Sequence, residues 1–198
     1  MSRTHVGTVC LVAGLLVAAA VAPLAGHRAM RQGDLDNTAY RHLNEEIARY
    51  LAIHTDLRSE VPGPVPDSSA RELNDASDML FNAIRRARPR ARQSDFFDAD
   101  ATRLITQRLR DALRSPSAAA ALAGIDDERP AALRPQTYLR FPVANEMATM
   151  PPSLLRVLPR LPAELEYRIV GEYLVLRDVK AAMILDYIPN AVPRQQHW

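Results

Sequence analysis

Fifteen prolines divide this 198-residue chain, and their spacing decides which stretches can be regular. Proline has no amide hydrogen and a fixed φ, so helix interiors and central strands exclude it. Seven of the fifteen, at 130, 135, 142, 151, 152, 159 and 162, fall in one stretch. Of the other eight, those at 62, 64, 66, 89 and 116 fall between or at the ends of segments that carry the periodic patterns.

Leu35 to Arg58 reads as an amphipathic helix. Tyr40, Leu43, Ile47, Tyr50, Leu51, His54 and Leu57 recur at i, i+3, i+4 spacing, and Glu45 and Arg49 are spaced as an i,i+4 ion pair on the outer face. Pro62-Gly-Pro-Val-Pro66 ends it. A second helix is expected from an N-cap at Asp67 or Ser68. Its stripe is Leu73, Ala76, Leu80, Ile84 and Ala87, and it stops at Arg88-Pro89. A third follows the cap Asp98, with Leu104, Ile105, Leu109, Ala112 and Leu113 inward. A fourth runs from Ser115-Pro116 to a stop at Gly124, the order in which proline opens and glycine closes a helix.

The proline-rich stretch should be extended, with one helical turn at Ser153 to Val157. Tyr138, Leu139, Phe141 and Val143 imply that it packs along the domain. Beyond it, Glu166–Val170, Tyr173–Asp178 and Met183–Ile188 are rich in β-branched and aromatic residues. Gly171-Glu172 fits a two-residue turn with glycine leading. These segments predict a three-stranded antiparallel meander, with Tyr167/Ile169 and Leu174/Leu176 on one buried face. Such a sheet needs a cover, which the helices supply. The expected class is α+β: an N-terminal export or anchor helix, three to four amphipathic helices, a proline-rich extended segment and a C-terminal meander. Residues 34–125 are read as the helical region and 126–163 as the connector. Residues 164–190 are the meander, forming one domain with 34–125.

The chain opens with Arg3, then runs from Val6 to Ala25 without a formal charge. Twenty apolar residues suffice either for a secretory signal or for a membrane-spanning helix. Ala20-Val21-Ala22 offers a cleavage site, but Pro23 would follow the cut; Ala18-Ala19-Ala20 is an alternative that comes before the apolar run has ended. Arg3 on one side balances Arg28 and Arg31 on the other, so orientation stays open. Residues 1–25 are thus expected to be a signal peptide or anchor. The protein is then exported, either periplasmic or held at the inner membrane by residues 6–25. The one cysteine, Cys10, lies inside the apolar run, which argues against lipidation and leaves no disulfide framework.

A net charge of +2 gives no reason to expect nucleic acid. Basic charge is almost all arginine, since Lys180 is the one lysine.

Two stretches carry a resemblance. One is Ala87-Arg-Pro-Arg-Ala-Arg-Gln-Ser-Asp-Phe-Phe97. The other runs from Met150-Pro-Pro through Leu161-Pro-Ala-Glu-Leu-Glu-Tyr-Arg-Ile-Val-Gly171 to Asp186-Tyr-Ile-Pro-Asn190. Together they resemble a family of uncharacterised exported bacterial proteins, in which an "ARQGD-F" element precedes a closing "LEYR-VG--L-L-D" meander. Ser94 stands where that pattern has glycine. The resemblance implies export and architecture and brings no activity, cofactor or catalytic residue. The meander alone also looks faintly like that of small periplasmic metal-homeostasis proteins.

Among candidate chemical groups, His54 falls on an apolar stripe and reads as a core histidine. His42 with Glu45 and Glu46 lacks the third ligand that zinc requires. Asp95, Asp98 and Asp100 lack the alternation and glycine of a calcium loop, and capping accounts for Asp98. No Gly-x-Ser-x-Gly elbow and no glycine-rich phosphate loop occurs. The sharpest feature is Arg85, Arg86, Arg88, Arg90 and Arg92, five arginines in eight residues. Such a cluster suits an anionic membrane surface or an acidic partner; it also suits a helix C-terminus, with pairing to Asp95. The expectation is a non-catalytic exported envelope protein that binds a protein or the membrane surface, without cofactor or metal. One alternative is a small periplasmic enzyme using Glu166, Arg168, Asp178 and Asp186; another is a metal-binding protein built on His42.

Overall fold

The computed structural model describes residues 38–61, 68–126, 134–141 and 150–193. Residues 1–25, Asp67 and Val143 lie outside them. The described residues belong to a compact unit, residues 31–198. Its fold is α+β: five helices among the described residues, and a three-stranded antiparallel sheet at the C-terminal end.

Helix α1 (Arg41–Glu60) buries Leu43, Ile47, Tyr50 and His54, the face that the spacing predicts. Arg49 pairs with Glu46 instead of Glu45. Helix α2 (Ala70–Ala87) is capped by Ser69, slightly later than expected. The reason is a capping box: Glu72, three residues on, accepts from the Ser69 amide at 2.6 Å, and Ser69 Oγ accepts from the Glu72 amide. The Ser69 amide first, then the Ser69 hydroxyl donating to the same carboxylate oxygen at 2.9 Å, hold the Glu72 carboxyl below its ordinary value. The stripe expected on α2 is met only in its C-terminal half, which buries Leu80, Phe81 and Ile84. Leu73 is 47% exposed, because the first turns of α2 project past the core. Helix α3 (Ala99–Ala112) is capped by Asp98, which accepts from the Ala101 amide at 2.8 Å. Helix α4 (Pro116–Asp126) continues through Gly124 instead of stopping there. Gly124 has no left-handed φ, so it serves as a tolerated interior residue and not as a cap. Helix α5 (Pro152–Leu155) is the short turn expected near Ser153.

Strands β1 (Leu165–Val170), β2 (Tyr173–Asp178) and β3 (Met183–Ile188) pair in the order β1-β2-β3. The β1–β2 turn has positive φ at Gly171 (60°) and not at Glu172, as a glycine-led hairpin requires. Tyr167, Ile169, Leu174 and Leu176 share the face that enters the main core with the helices. The opposite face is also apolar: Val170, Val175 and Ile184 pack with Phe141. Residues 138–141 reach this position by pairing with β3. The Tyr138 amide donates to the Ile184 carbonyl at 2.8 Å, and Phe141 to Ala182 at 2.8 Å.

One irregularity positions a functional group. Leu176 pairs with Asp186 and Arg177 with Ile184, so Leu185 is an extra residue in β3. A bulge of this kind re-aims its neighbours. Here Asp186 faces the helical side, fully buried.

Candidate functional site

The segment from Arg88 to Asp98 links α2 to α3 and carries three of the five clustered arginines. Asp186 holds it in place. Its Oδ2 accepts from the Phe96 and Phe97 amides at 2.9 Å each, and its Oδ1 from the Ser94 amide at 2.9 Å and its neighbour Tyr187 at 2.8 Å. Burial pushes the Asp186 carboxyl up from its ordinary value, and the four amide bonds pull it back down. The two sequence elements behind the family resemblance are therefore joined directly, the closing one supplying the carboxylate and the arginine-rich one the amides. Ser94 adopts φ 71°, the left-handed conformation that suits the glycine of that pattern.

A second buried carboxylate braces α1 against β2. Asp178, fully buried, accepts from Tyr50 Oη at 2.6 Å and from the Ala181 amide at 2.7 Å. His54 Nε2 lies 3.2 Å from the same Asp178 oxygen as Tyr50. Burial first, then the Asp178 charge, raises the Tyr50 phenol well above its ordinary value. With Tyr50, His54 and Asp178 at 1%, 4% and 0% exposure, the triad is core and presents no face to a substrate.

The structure divides the five arginines. Arg88 turns inward: its guanidinium stands over the Tyr50 and Phe96 rings at 5.5 and 5.1 Å and lies 3.7 Å from Asp95. It cements the linker to α1 by cation–π contact. Arg92 lies 3.9 Å from Asp95 yet remains 87% exposed. Arg85, Arg86 and Arg90 are exposed. Arg85 is steadied over the Phe81 ring at 5.5 Å. Arg85 and Arg86 open onto a cleft of about 540 Å³ shared with Asn82, Pro89 and Tyr138. Tyr138 holds a left-handed φ of 64° there, and burial raises its phenol to about 12.

The four residues considered for an enzyme site do not converge. Asp178 and Asp186 face the helices as separate braces. Glu166 and Arg168 lie on the other side of the sheet, where Arg168 Nε donates to Glu166 Oε1 at 2.9 Å. Arg177 pairs with the same carboxylate while covering the Phe141 ring. His42 Nε2 meets the Asp95 carbonyl at 2.9 Å, so it too fastens the linker. Among the described residues no three His, Cys, Asp or Glu side chains are grouped to hold a metal, and no helix is long and apolar enough to cross a membrane.

Sequence reasoning missed the roles of Asp186 and Arg88. Asp186 reads as one more strand carboxylate, since the bulge that turns it inward leaves no mark on composition. Arg88 is identical in type to its exposed neighbours. Its one signal is Pro89, which ends α2 and redirects the chain.

No family model, curated protein or solved structure matches this chain. None of these comparisons supports the family resemblance drawn above.

Proposed function

We propose that this protein is a non-catalytic binding module of the bacterial envelope that holds its domain against an anionic membrane surface through Arg85, Arg86, Arg90 and Arg92. The observation that carries the reading is the division of labour among ionisable groups. Asp178, Asp186, His54 and Arg88 are spent inside the fold, while these four guanidiniums face solvent on one continuous stretch of chain. The apolar run 6–25 supports it by giving the chain a route out of the cytoplasm and a place beside a bilayer.

The energetics fit a two-part attachment. An arginine near an anionic surface contributes ~1 kcal/mol, so four contribute about 4 kcal/mol. Alone, that is a millimolar affinity. A membrane-held leader would raise the effective concentration of the patch and make the contact persistent.

The test is flotation of the fragment beginning at residue 31 with phosphatidylglycerol or phosphatidylcholine vesicles. Binding to the anionic vesicles alone, weakening as salt rises, is the expected result. Equal binding to both, or none to either at low salt, overturns the reading.

A further inference from the structure

Among the described residues, strand β1 is an open edge of the sheet. The outer side of β3 is taken by residues 138–141, whereas β1 has no neighbouring strand among the described residues except β2. The phase of the ladder follows from one bond, the Val179 amide to the Glu164 carbonyl at 2.9 Å. In this register Glu166, Arg168 and Val170 exchange bonds with β2, and Leu165, Tyr167 and Ile169 direct theirs to the edge. The Leu165 amide is used by the Pro162 carbonyl at 3.1 Å. Those of Tyr167 and Ile169 have no partner among the described residues.

A cleft of about 470 Å³ runs along this edge. One wall is four consecutive residues, Leu165 to Arg168. Consecutive strand side chains point to opposite faces, so a cleft touching all four follows the backbone edge and not a face of the sheet. The rest of the lining is mostly apolar, with Leu155, Leu158 and Leu161. Leu155 is 48% exposed there, unusual for a leucine that flanks a core. The rim is cationic. Arg160 lines the cleft and Arg156 stands on the same segment, both exposed and neither in an ion pair among the described residues. The one acid of the lining, Glu166, is already held by Arg168 and Arg177.

We propose that this cleft docks an extended, acidic peptide segment of another protein, which adds to β1 as a further strand. Its main chain would take the outward groups of Tyr167 and Ile169, an apolar side chain would lie against Leu155 and Leu158, and a carboxylate would meet Arg160. Strand addition of this kind draws affinity from backbone bonds and selectivity from alternate side-chain pockets. The site is separate from the arginine face and does not depend on it.

The experiment uses the full chain in detergent micelles and three synthetic probes: Glu-Val-Glu-Ile-Glu-Val-Glu, its lysine counterpart, and the acidic peptide N-methylated at alternate amides. Amide exchange is followed by NMR. The acidic peptide is expected to slow exchange at Tyr167 and Ile169 at least tenfold, and the other two to leave it unchanged. Leu155→Asp and Arg160→Glu, both at exposed positions, are expected to weaken binding at least tenfold with an unchanged melting temperature. No protection by the acidic peptide at millimolar concentration overturns the proposal. So does equal protection by all three probes. Protection of the same amides without peptide, rising with protein concentration and lost in Leu155→Asp, overturns it in favour of a second copy of this chain.

Discussion

Asp186→Asn changes one atom and removes a charge, yet it should be among the most damaging conservative substitutions in the domain. The carboxylate accepts four main-chain amides, two on each oxygen, at 2.8 to 2.9 Å. An asparagine keeps one acceptor oxygen and turns an NH2 group toward the other two donors. The Phe96 and Phe97 amides are buried and the Ser94 and Tyr187 amides only partly so. The oxygen will therefore stay with the phenylalanines. Two hydrogen bonds to a charged group are lost, each worth roughly 1.5–3 kcal/mol. Two offsets apply: water reaches the partly buried amides, and the neutral side chain escapes the burial that pushes the carboxyl up. The net cost should be about 2–3 kcal/mol, or roughly 5–10 °C in melting temperature for a domain of this size. Asp186→Ala, which orphans all four amides, should cost about 4 kcal/mol or more. Urea unfolding of both variants, with amide exchange at Phe96 and Phe97, measures this. A cost below about 0.5 kcal/mol for the asparagine variant, with exchange at Phe96 and Phe97 unaltered, would refute the assignment of Asp186 as the anchor of the arginine-bearing linker.

Three further outcomes follow from local geometry. Ser94→Gly should raise stability by ~0.5–1 kcal/mol, because the left-handed φ of 71° strains any residue with a Cβ and the Ser94 side chain is exposed; a loss of stability in thermal melts would contradict this. Gly124→Ala should also stabilise by ~0.5–1 kcal/mol, since an added Cβ meets nothing within 4 Å and the residue is helical; an unchanged or lower denaturation midpoint would argue against α4 running through it. In alkali, Tyr50, Tyr138 and Tyr167 should stay protonated past the ordinary tyrosine range, because burial raises all three, Tyr138 to about 12. Both folded and unfolded chains are neutral at these groups below about pH 10. Above it the unfolded chain ionises first, so stability falls as pH rises toward 12 and beyond. Tyrosinate absorbance should then appear with unfolding, and full ionisation near pH 10 in the folded state would contradict the burial.

Much of the fold was legible because its signals are local. The α1 stripe, the Asp98 cap, the Gly171 turn and the three strands each depend on residues a few positions apart. What escaped depends on distant packing. Leu73 lies on the right side of α2 but beyond the reach of the core. Gly124 carries the residue type of a helix stop, yet the chain continues in helical φ and ψ. The second apolar face of the sheet is covered by Phe141, more than 40 residues from its partner Ile184 in sequence, and no periodicity announces that. The candidate site was legible as composition only. Five arginines were visible as a run, but the split between Arg88 and the rest is made by Tyr50, Phe96 and Asp95 converging in space.

That split is the centre of the account, and one paired measurement tests it. Vesicle binding and thermal melting are recorded for Arg85→Gln/Arg86→Gln/Arg90→Gln and, separately, for Arg88→Gln. At ~1 kcal/mol per charge, the triple variant should bind phosphatidylglycerol vesicles about 100-fold more weakly and lose no more than ~0.5–1 kcal/mol of stability, through the exposed Arg85–Phe81 contact. Arg88→Gln should lose ~1–3 kcal/mol of stability through its two ring contacts and keep most of its vesicle binding. The reverse pattern, binding abolished by Arg88→Gln and untouched in the triple variant, would contradict the account.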